Sequence, residues 1–326
     1  KINKKKKLSV LDIGCNDGTL LNFYKKNESK YGIDPSQIVD KINKKKIYTI
    51  KDFFPLKRKN LFKINKKFDF ISSIAMFYDI DDPNNFVKSI KYFLEKKGIW
   101  VFELSYMIDM LRLNSFDTIC HEHLEYYSLS TLNYLIENNK LKIFKVSKNS
   151  INGGSIRCFV THKNNFLFDK RKNYSEISKL ISYEKKIKIF SKKPYRKFYL
   201  NSLKIKKKLL DLIYKIKKKE KKIFILGAST KGNTILQFLN IDNKLISSAV
   251  ERNKEKIGAQ TIGSKIKIIS EKEAKKNLPD YYLVLPWHFK KEIITREKNF
   301  IKKGGSLIFP LPNVHIVNKN NFKNYI

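Results

Sequence analysis

The chain has 326 residues and a hydrophobic fraction of 42%, which is enough apolar material for two cores of ordinary size and argues against intrinsic disorder. No apolar run approaches the length of about 18 residues that a membrane-spanning helix needs, and no signal peptide opens the chain. We therefore expect a cytoplasmic protein with no membrane partner. Because a strand is predicted as early as residue 8, we also expect the chain to lack an N-terminal portion.

The formal net charge of +39 raises the question of a nucleic-acid partner. Only seven of the 69 basic residues are arginines, and the lysines are spread along the whole chain. Nucleic-acid-binding proteins usually cluster their charge and often favour Arg for its bidentate geometry. We expect no nucleic-acid partner, and the charge instead favours anionic substrates. Three scattered cysteines without a CxxC pair predict neither a zinc site nor a disulfide framework, which suits a reducing compartment.

Apolar runs alternate with helical patterns in the first half of the chain. The pattern predicts helices after residue 18 and over residues 86–94, and strands at 8–13, 31–33, 47–50, 68–74 and 99–103. Such alternation predicts a parallel sheet with helices on both faces. A polar, histidine-bearing segment follows at 114–129. Two further strands, at 141–146 and 155–161, flank an Asn152-Gly153 turn.

A lysine-rich helical stretch with Leu209, Leu212, Ile213 and Ile216 on one face is interpreted as a solvated linker. A second alternation begins near residue 222, with strands predicted at 223–226, 245–250, 281–286 and 306–309. The fold class is therefore α/β with two Rossmann-like domains. We expect the first over residues 1–165, a helical linker over 166–221, and the second over 222–326.

The first strand leads into a turn, residues 12–18, that carries two glycines and two acids. Gly14 and Gly18 allow a tight turn and close approach of a ligand, but the GxGxxG pattern of a pyrophosphate site is missing. Asp12 and Asp17, with Asn16 between the glycines, suit a cationic ligand rich in hydroxyl groups. S-adenosylmethionine has an ammonium, a sulfonium and a ribose diol, whereas phosphate would be repelled.

Two later acids extend this predicted cofactor site. Asp34 closes the second strand, where an acidic side chain can accept hydrogen bonds from both ribose hydroxyls. Asp52 and Phe53 lie where the third strand ends, in position for the amino group and the ring face of adenine.

The polar segment places His121, Glu122 and His123 in succession. Metal binding is one interpretation, but no third ligand is evident. General-base chemistry is another, since a histidine near its ordinary pKa can take a proton at neutral pH. A polar loop without catalytic function is the third.

Residues 116–129, Phe-Asp-Thr-Ile-Cys-His-Glu-His-Leu-Glu-Tyr-Tyr-Ser-Leu, resemble the signature of the sugar C-methyltransferases that act on nucleotide-bound ketosugars. The stretches at 12–21, 152–157, 227–233 and 285–289 resemble the same family, so the resemblance covers nearly the whole chain. It implies S-adenosylmethionine as cofactor and a nucleotide-diphosphate deoxysugar as substrate. It also implies that a base removes a proton next to the ketone and that the resulting enolate takes the methyl group.

The resemblance implies roles for single residues. His123 is the favoured base, Glu122 orients the site or binds a sugar hydroxyl, and His121 supports it. Two departures concern the acceptor. Cys120 stands where some family members have a tyrosine, and the family's N-terminal zinc-binding domain is absent from this sequence.

The second glycine turn, at 227–233, contains a lysine and no acid, which suits phosphate. With the resemblance, it implies that Lys231 and Asn233 lie near the diphosphate of the acceptor, with Arg157 as a further candidate. Glu251, just past the next strand, would meet a ribose diol. Trp287 is predicted to pack between domains more readily than to stack on a ligand.

Three rival functions remain open at this point. The chain could methylate an oxygen or nitrogen of a sugar or small metabolite. It could be an NAD-dependent sugar-modifying oxidoreductase, or a binding protein without catalysis. The sequence names no oligomeric partner.

Overall fold

The computed structural model describes residues 7–43, 45–56 and 64–326. Its contacts divide the chain into two compact units. The first unit runs to Ile108 and also contains Leu124–Ser150 and Gly154–Lys188. The second unit contains Asp109–His123, Ile151–Gly153 and Ile189–Ile326. The structure thus groups the histidine-bearing segment, as far as His123, with the C-terminal part of the chain, whereas the sequence pattern predicts that the whole segment belongs to the first domain.

The first unit contains a seven-stranded sheet with the order β3-β2-β1-β4-β5-β7-β6. Strands β1 to β5 run parallel, and β7 and β6 complete the sheet in antiparallel fashion. The strands are β1 Ser9–Ile13, β2 Ser29–Ile33, β3 Tyr48–Ile50, β4 Phe68–Ile74, β5 Leu94–Ser105, β6 Leu141–Asn149 and β7 Ser155–His162. The predicted parallel sheet and the antiparallel pair that follows it are both confirmed.

Helices pack on strands of this sheet, and a short helix connects the two units. They are α1 Thr19–Asn22, α2 Pro83–Phe93, α3 Met107–Arg112, α4 Leu129–Asn138 and α5 Arg171–Lys186. The chain passes from the first unit to the second within α3. In α2, the buried residues Phe86, Val87, Ile90 and Phe93 follow the helical period, and Asp82 caps the first turn through the backbone N–H of Asn85.

A fully buried carboxylate fixes the start of α4. Glu184 of α5 accepts hydrogen bonds from the backbone N–H groups of Leu129 (2.6 Å) and Ser130 (2.9 Å) and from the hydroxyl of Tyr106 (2.6 Å). An anion at a helix N-terminus satisfies donors that have no partner within the helix. These hydrogen bonds therefore connect α5 to the start of α4 within the first unit.

The second unit contains a six-stranded sheet with the order β10-β9-β8-β11-β12-β13. Its strands are β8 Ile223–Leu226, β9 Ser248–Glu251, β10 Lys267–Ser270, β11 Tyr281–Val284, β12 Ser306–Phe309 and β13 His315–Val317. All pairings are parallel except that of β13 with β12. Both sheets therefore contain the Rossmann-like order 3-2-1-4-5, which confirms the predicted fold class.

The helices of the second unit are α6 Lys192–Lys217, α7 Thr230–Leu239, α8 Glu271–Lys276, α9 Lys290–Arg296 and α10 Lys298–Lys302. The interpretation of the lysine-rich stretch as a solvated linker is wrong for α6, which packs on α7 and β8 of the second unit. Leu209, Ile213 and Ile216 are buried on one face, because their spacing of three and four residues forms a continuous apolar stripe. In the described part of the chain, no helix is both long and apolar enough for a bilayer.

Candidate functional site

The turn after β1 depends on two glycines in the left-handed region. Gly14 has φ 73° and Gly18 has φ 75°, conformations that a residue with a Cβ adopts only at a cost. The N–H of Gly14 donates to the carbonyl of Ile33 at 2.8 Å, which holds the turn against the end of β2. The turn therefore lies at the carboxyl ends of parallel strands, next to the point where the strand order reverses. Open α/β sheets bind ligands there.

Asp12 is a buried carboxyl at this turn. It is 3% exposed and accepts a hydrogen bond of 2.6 Å from the hydroxyl of Ser72. Burial raises its pKa to about 6, and the charge of Asp34 adds to this rise, although the Ser72 bond opposes it. A cation next to a carboxyl group with a raised pKa would lower that pKa and favour the ionised carboxylate. Its environment therefore suits an ammonium group.

Asp34 connects the end of β2 to the same turn. One of its oxygens accepts from the backbone N–H of Asn16 at 2.9 Å, and the other accepts from the N–H (2.9 Å) and the hydroxyl (2.5 Å) of Ser36. Each carboxylate oxygen has two lone pairs, so capacity for further hydrogen bonds remains. The structure thus brings Asp12, Asn16 and Asp34 together.

The other predicted cofactor residues lie in more open surroundings. Asp17 is exposed and accepts from the backbone N–H of Thr19 at 2.9 Å. Asp52 is half-buried, and its carboxylate accepts from the N–H of Phe53 at 2.8 Å. The Phe53 side chain is 70% exposed, so its ring face is accessible to a planar group. Acidic side chains around the turn fit the cationic, hydroxyl-rich S-adenosylmethionine.

The histidine-bearing segment belongs to the second unit as far as His123, and its first turn packs on α7. Its 3-10 turn, Phe116–Thr118, places the ring of Phe116 4.8 Å from that of Phe238. Beyond the turn, the backbone N–H of His123 donates to the carbonyl of Cys120 at 3.1 Å. The Phe116–Thr118 turn thus holds the segment on α7, and a local hydrogen bond shapes the chain around His123.

His123 is half-buried, while His121 and Glu122 are exposed. Burial lowers the pKa of His123, and the charge of Lys231 lowers it further. A hydrogen bond to the backbone of Thr118 and the charge of Glu122 act in the opposite direction but do not reverse the shift. The imidazole of His123 is therefore neutral at neutral pH.

The second glycine turn joins β8 to α7. Gly227 has φ 85°, and the hydroxyl of Ser229 caps α7 by accepting from the N–H of Gly232 at 3.1 Å. Burial lowers the pKa of the half-buried Lys231, while Asp117 and Cys120 oppose this shift. The N–H of Asn233 donates to the carbonyl of Ser229 at 3.0 Å. Lys231 thus presents a partly desolvated cation at the start of the helix.

Glu251, at the end of β9, holds this turn. Its oxygens accept from the N–H groups of Ala228 (2.9 Å), Arg252 (2.7 Å) and Asn253 (3.1 Å). Burial raises its pKa, but the three amides and Lys256 outweigh burial and lower the pKa below its ordinary value. A cavity of about 380 Å³ opens beside the turn and includes Glu251 in its lining.

Arg157 lies on β7 in the first unit, not in the unit that contains Lys231. Its Nε is 2.7 Å from an oxygen of Glu103, which also accepts from the Asn149 side chain at 3.0 Å. The guanidinium is thus already paired with a carboxylate. Its side chain is 43% exposed, so the other N–H groups of the guanidinium can still meet a phosphate.

The sequence analysis missed one buried contact near the histidine-bearing segment. Trp287 is 6% exposed, and its Nε1 donates to a carboxylate oxygen of Asp117 at 2.8 Å. The indole also packs against Gly153, where a Cβ atom would lie 3.1 Å from the ring. All three residues belong to the second unit, so Trp287 packs within that unit and is too buried to be a stacking platform. In the sequence, only the family-like stretches at 116–129 and 285–289 drew attention to Asp117 and Trp287.

Comparisons with known proteins bear on both halves of the chain. A family model described as the C-methyltransferase C-terminal domain matches residues 150–312, and one described as a methyltransferase domain matches residues 2–146. The C-methyltransferase NovU from Streptomyces niveus is 26% identical over 317 residues, which cover 94% of this chain and 73% of that protein.

Two solved structures illustrate similarity at low identity. An S-adenosylmethionine-dependent methyltransferase from Clostridium acetobutylicum is 14% identical, with a TM-score of 0.37, over 47% of this chain and 83% of that chain. The magnesium protoporphyrin IX methyltransferase from Synechocystis, with bound S-adenosylmethionine, is 12% identical, with a TM-score of 0.36, over 48% of this chain and 70% of that chain.

The matched models and the acidic turn after β1 define an S-adenosylmethionine-dependent methyltransferase. The chain belongs to the C-methyltransferase family that the matching C-terminal domain model describes.

Proposed function

We propose that this methyltransferase acts on a carbon next to the ketone of a nucleotide-linked deoxysugar, and that His123 removes the proton from that carbon. The observation that carries the proposal is the state of His123. Its imidazole is half-buried and held neutral beside Lys231, as a general base at neutral pH must be.

The hydrogen bonding of His123 supports this role. The Thr118 backbone interaction raises the pKa of His123, as expected when a ring N–H donates to a carbonyl. The other ring nitrogen then carries the lone pair that accepts the proton. As the C–H bond of the sugar breaks, its electrons form the enolate, and the ketone oxygen takes up the negative charge. Glu122 and His121, both exposed, would orient the sugar and support the base.

The acidic turn would hold the cofactor, which supplies an electrophilic methyl group when bound. Asp12 would pair with the ammonium, with Gly14 and Gly18 letting the backbone approach it. Asn16 and Asp17 would complete the turn. Asp34 would accept from the ribose hydroxyls, while Asp52 and Phe53 would contact adenine.

The second glycine turn would hold the acceptor. Lys231 and Asn233 would meet the diphosphate, which an electropositive protein also attracts over longer distances. Glu251 already accepts three backbone amides, so it would meet a ribose only through its remaining lone pairs. Arg157 would meet a phosphate through the guanidinium N–H groups other than Nε, which stays paired with Glu103.

The test combines cofactor binding with turnover. We expect S-adenosylhomocysteine to bind in calorimetry, and a panel of nucleotide ketosugars to include one that is methylated with loss of deuterium from the alpha carbon. His123→Gln should lower kcat by at least about 100-fold and leave S-adenosylhomocysteine binding unchanged.

Other outcomes would point to the rival functions. Methylation with full retention of deuterium would indicate an oxygen or nitrogen acceptor. Bound NAD without affinity for S-adenosylhomocysteine would indicate an oxidoreductase. Full activity in His123→Gln would refute the base assignment.

A further inference from the structure

The first unit contains a buried carboxylate, Glu103 at the end of β5, that no step of the proposed reaction uses. Glu103 is 5% exposed, and one of its oxygens accepts a hydrogen bond of 2.7 Å from Nε of Arg157 on β7. The other oxygen accepts a hydrogen bond of 3.0 Å from the side-chain amide of Asn149 on β6. Glu103 and Arg157 are paired residues of the β5–β7 ladder, so their side chains lie on the same face of the sheet. Two other strands therefore hold this carboxylate in place.

The strand registers place Glu103 level with the proposed cofactor turn. Gly14 follows the last paired residue of β1, and Ile74, which lies at the same level of β4, pairs with Glu103. In the sheet, β7 is three strand positions from β1, which is about 14 Å at the ordinary strand spacing. A ligand held by Arg157 would therefore share the carboxyl edge of the parallel strands with the cofactor.

A guanidinium that is held at Nε has a fixed direction for its remaining donors. Arginine carries five N–H groups in one plane, and a phosphate can accept two of them at once. Nε of Arg157 is paired with Glu103, while 43% of the Arg157 side chain is exposed. The terminal N–H groups thus remain for a ligand, and the ion pair limits the rotation of the plane that carries them.

We propose, resting on the proposed contact between Arg157 and the acceptor, that Glu103 is a positioning residue that orients Arg157 toward a phosphate of the nucleotide sugar. Asn149 holds Glu103 in turn. Neither Glu103 nor Asn149 touches the phosphate in this arrangement, and both act through the direction of the guanidinium.

Calorimetry with uridine and thymidine diphosphates tests this role, because charge and orientation predict opposite results. Glu103→Gln removes a negative charge beside the guanidinium, so a site that depends on charge alone would bind diphosphate more tightly. If orientation matters more, the neutral amide holds Arg157 less firmly and the affinity should fall about fivefold. Asn149→Ala should give a smaller loss in the same direction, about twofold.

Two substitutions of Arg157 separate this role from the proposed function on which it rests. Arg157→Gln removes the cation, whereas Arg157→Lys keeps the charge without the planar donors, and each should weaken diphosphate binding about tenfold. Unchanged affinity in both variants would refute the phosphate contact and the role of Glu103 with it, as would a wild type that binds no diphosphate. Weaker binding in Arg157→Gln, with undiminished affinity in Glu103→Gln or in Arg157→Lys, would refute only the positioning role.

Cofactor binding and an unrelated ion pair provide the controls. S-adenosylhomocysteine should bind to each variant as to the wild type, which shows that the first unit is folded. If Glu103→Gln fails this check, Asn149→Ala decides in its place. Asp169→Asn removes the acid of an ion pair with Lys142 (2.8 Å), near the other end of β6, and should leave diphosphate affinity unchanged. An equal loss in Asp169→Asn would overturn the proposal.

The Nε–H group of Arg157 gives a readout that needs no ligand. Arg157→Lys identifies its NMR signal among those of the seven arginines. Because the group donates to a buried carboxylate, its exchange with water should be slow in the wild type and at least about fivefold faster in Glu103→Gln. An equal exchange rate in the two proteins would contradict the positioning role.

Kinetics complete the test once a sugar that supports turnover is known. Glu103→Gln should raise KM more than it lowers kcat, because a phosphate contact is made in the ground state and the transition state alike. A fall in kcat with an unchanged KM would contradict a role in orienting a phosphate contact.

Discussion

The two glycine turns of this protein use the same backbone arrangement with opposite charge. Each follows the first strand of a sheet with the order 3-2-1-4-5, and in each an acid at the end of the next strand accepts an amide of the turn. Asp34 accepts the N–H of Asn16 at 2.9 Å, and Glu251 accepts that of Ala228 at 2.9 Å. These acids therefore stabilise the turn in both units.

The side chains within the turns differ in sign. The first turn carries Asp12 and Asp17, whereas the second carries Lys231, and Lys256 donates to the carbonyl of Ala228 at 2.8 Å. The topology places both turns at the carboxyl ends of parallel strands, and we propose that the charge within each turn selects its ligand. We expect mutations in each turn to affect only its own ligand.

Asp12→Asn should give the largest effect. Loss of the charge-assisted contact with an ammonium should weaken S-adenosylhomocysteine about 100-fold in calorimetry. The same variant should stabilise the unliganded protein, by up to about 3 kcal/mol, because a buried carboxyl with a pKa near 6 destabilises the folded state at neutral pH. Asp40→Asn, at an exposed ion pair with Lys51, is the matched control. Undiminished cofactor affinity in Asp12→Asn would contradict the role of the acidic turn.

Lys231→Ala should weaken the binding of nucleoside diphosphates about tenfold, because a partly desolvated cation is lost. S-adenosylhomocysteine should bind as before, since the first turn is unchanged. Calorimetry with uridine and thymidine diphosphates measures both effects, and Lys244→Ala provides a surface control. If Lys231→Ala weakened the binding of S-adenosylhomocysteine as well as that of the diphosphates, the two turns would not act on separate ligands.

Acidification should act on the first turn in the unmutated protein. Because burial raises the pKa of Asp12 to about 6, its carboxyl becomes protonated as the pH falls through 6. The affinity for S-adenosylhomocysteine should fall about tenfold between pH 7 and pH 5, since a neutral carboxyl attracts an ammonium less. The contribution of Asp12 to the free energy of unfolding has the opposite pH dependence to the affinity. This contribution is largest below pH 3.8 and is lost as the pH rises through 6. An affinity independent of pH over this range in the wild type would refute the expected pairing.

Asp17→Asn should have the smallest effect, because this side chain is exposed and an amide oxygen can still accept from Thr19. We expect less than about threefold loss of S-adenosylhomocysteine affinity in calorimetry. A loss as large as that of Asp12→Asn would show that the total charge of the turn matters more than one buried carboxylate.

Sequence patterns predicted the elements that are buried on both faces. The runs at 68–74, 223–226 and 306–309 coincide with β4, β8 and β12, because central strands of a parallel sheet need continuous apolar residues. The strands β10 and β13 were missed, since their two or so apolar residues are flanked by polar ones and form no continuous apolar run. They lie at the two edges of their sheet, where pairing depends on the neighbouring strand.

The candidate site was predictable as motifs but not as contacts. Glycines and acids of the first turn identify a ligand site from local geometry alone. The bond between Trp287 and Asp117 depends on how distant segments fold together, which no local pattern encodes. The apolar face of α6 was visible in the sequence, but its packing on α7 and β8 was not, because that contact also depends on how distant segments fold together.

The grouping of Asp109–His123 with the C-terminal unit has a consequence for recombination between related enzymes. A chimaera joined near residue 150 would inherit Lys231 and Trp287 from one parent and His123 with Asp117 from the other. If the two parents differ in the contacts among these residues, the hybrid would combine side chains that do not fit together inside the second unit. With the acceptor site proposed above, we expect that transferring acceptor preference requires moving Asp109–His123 together with the C-terminal unit.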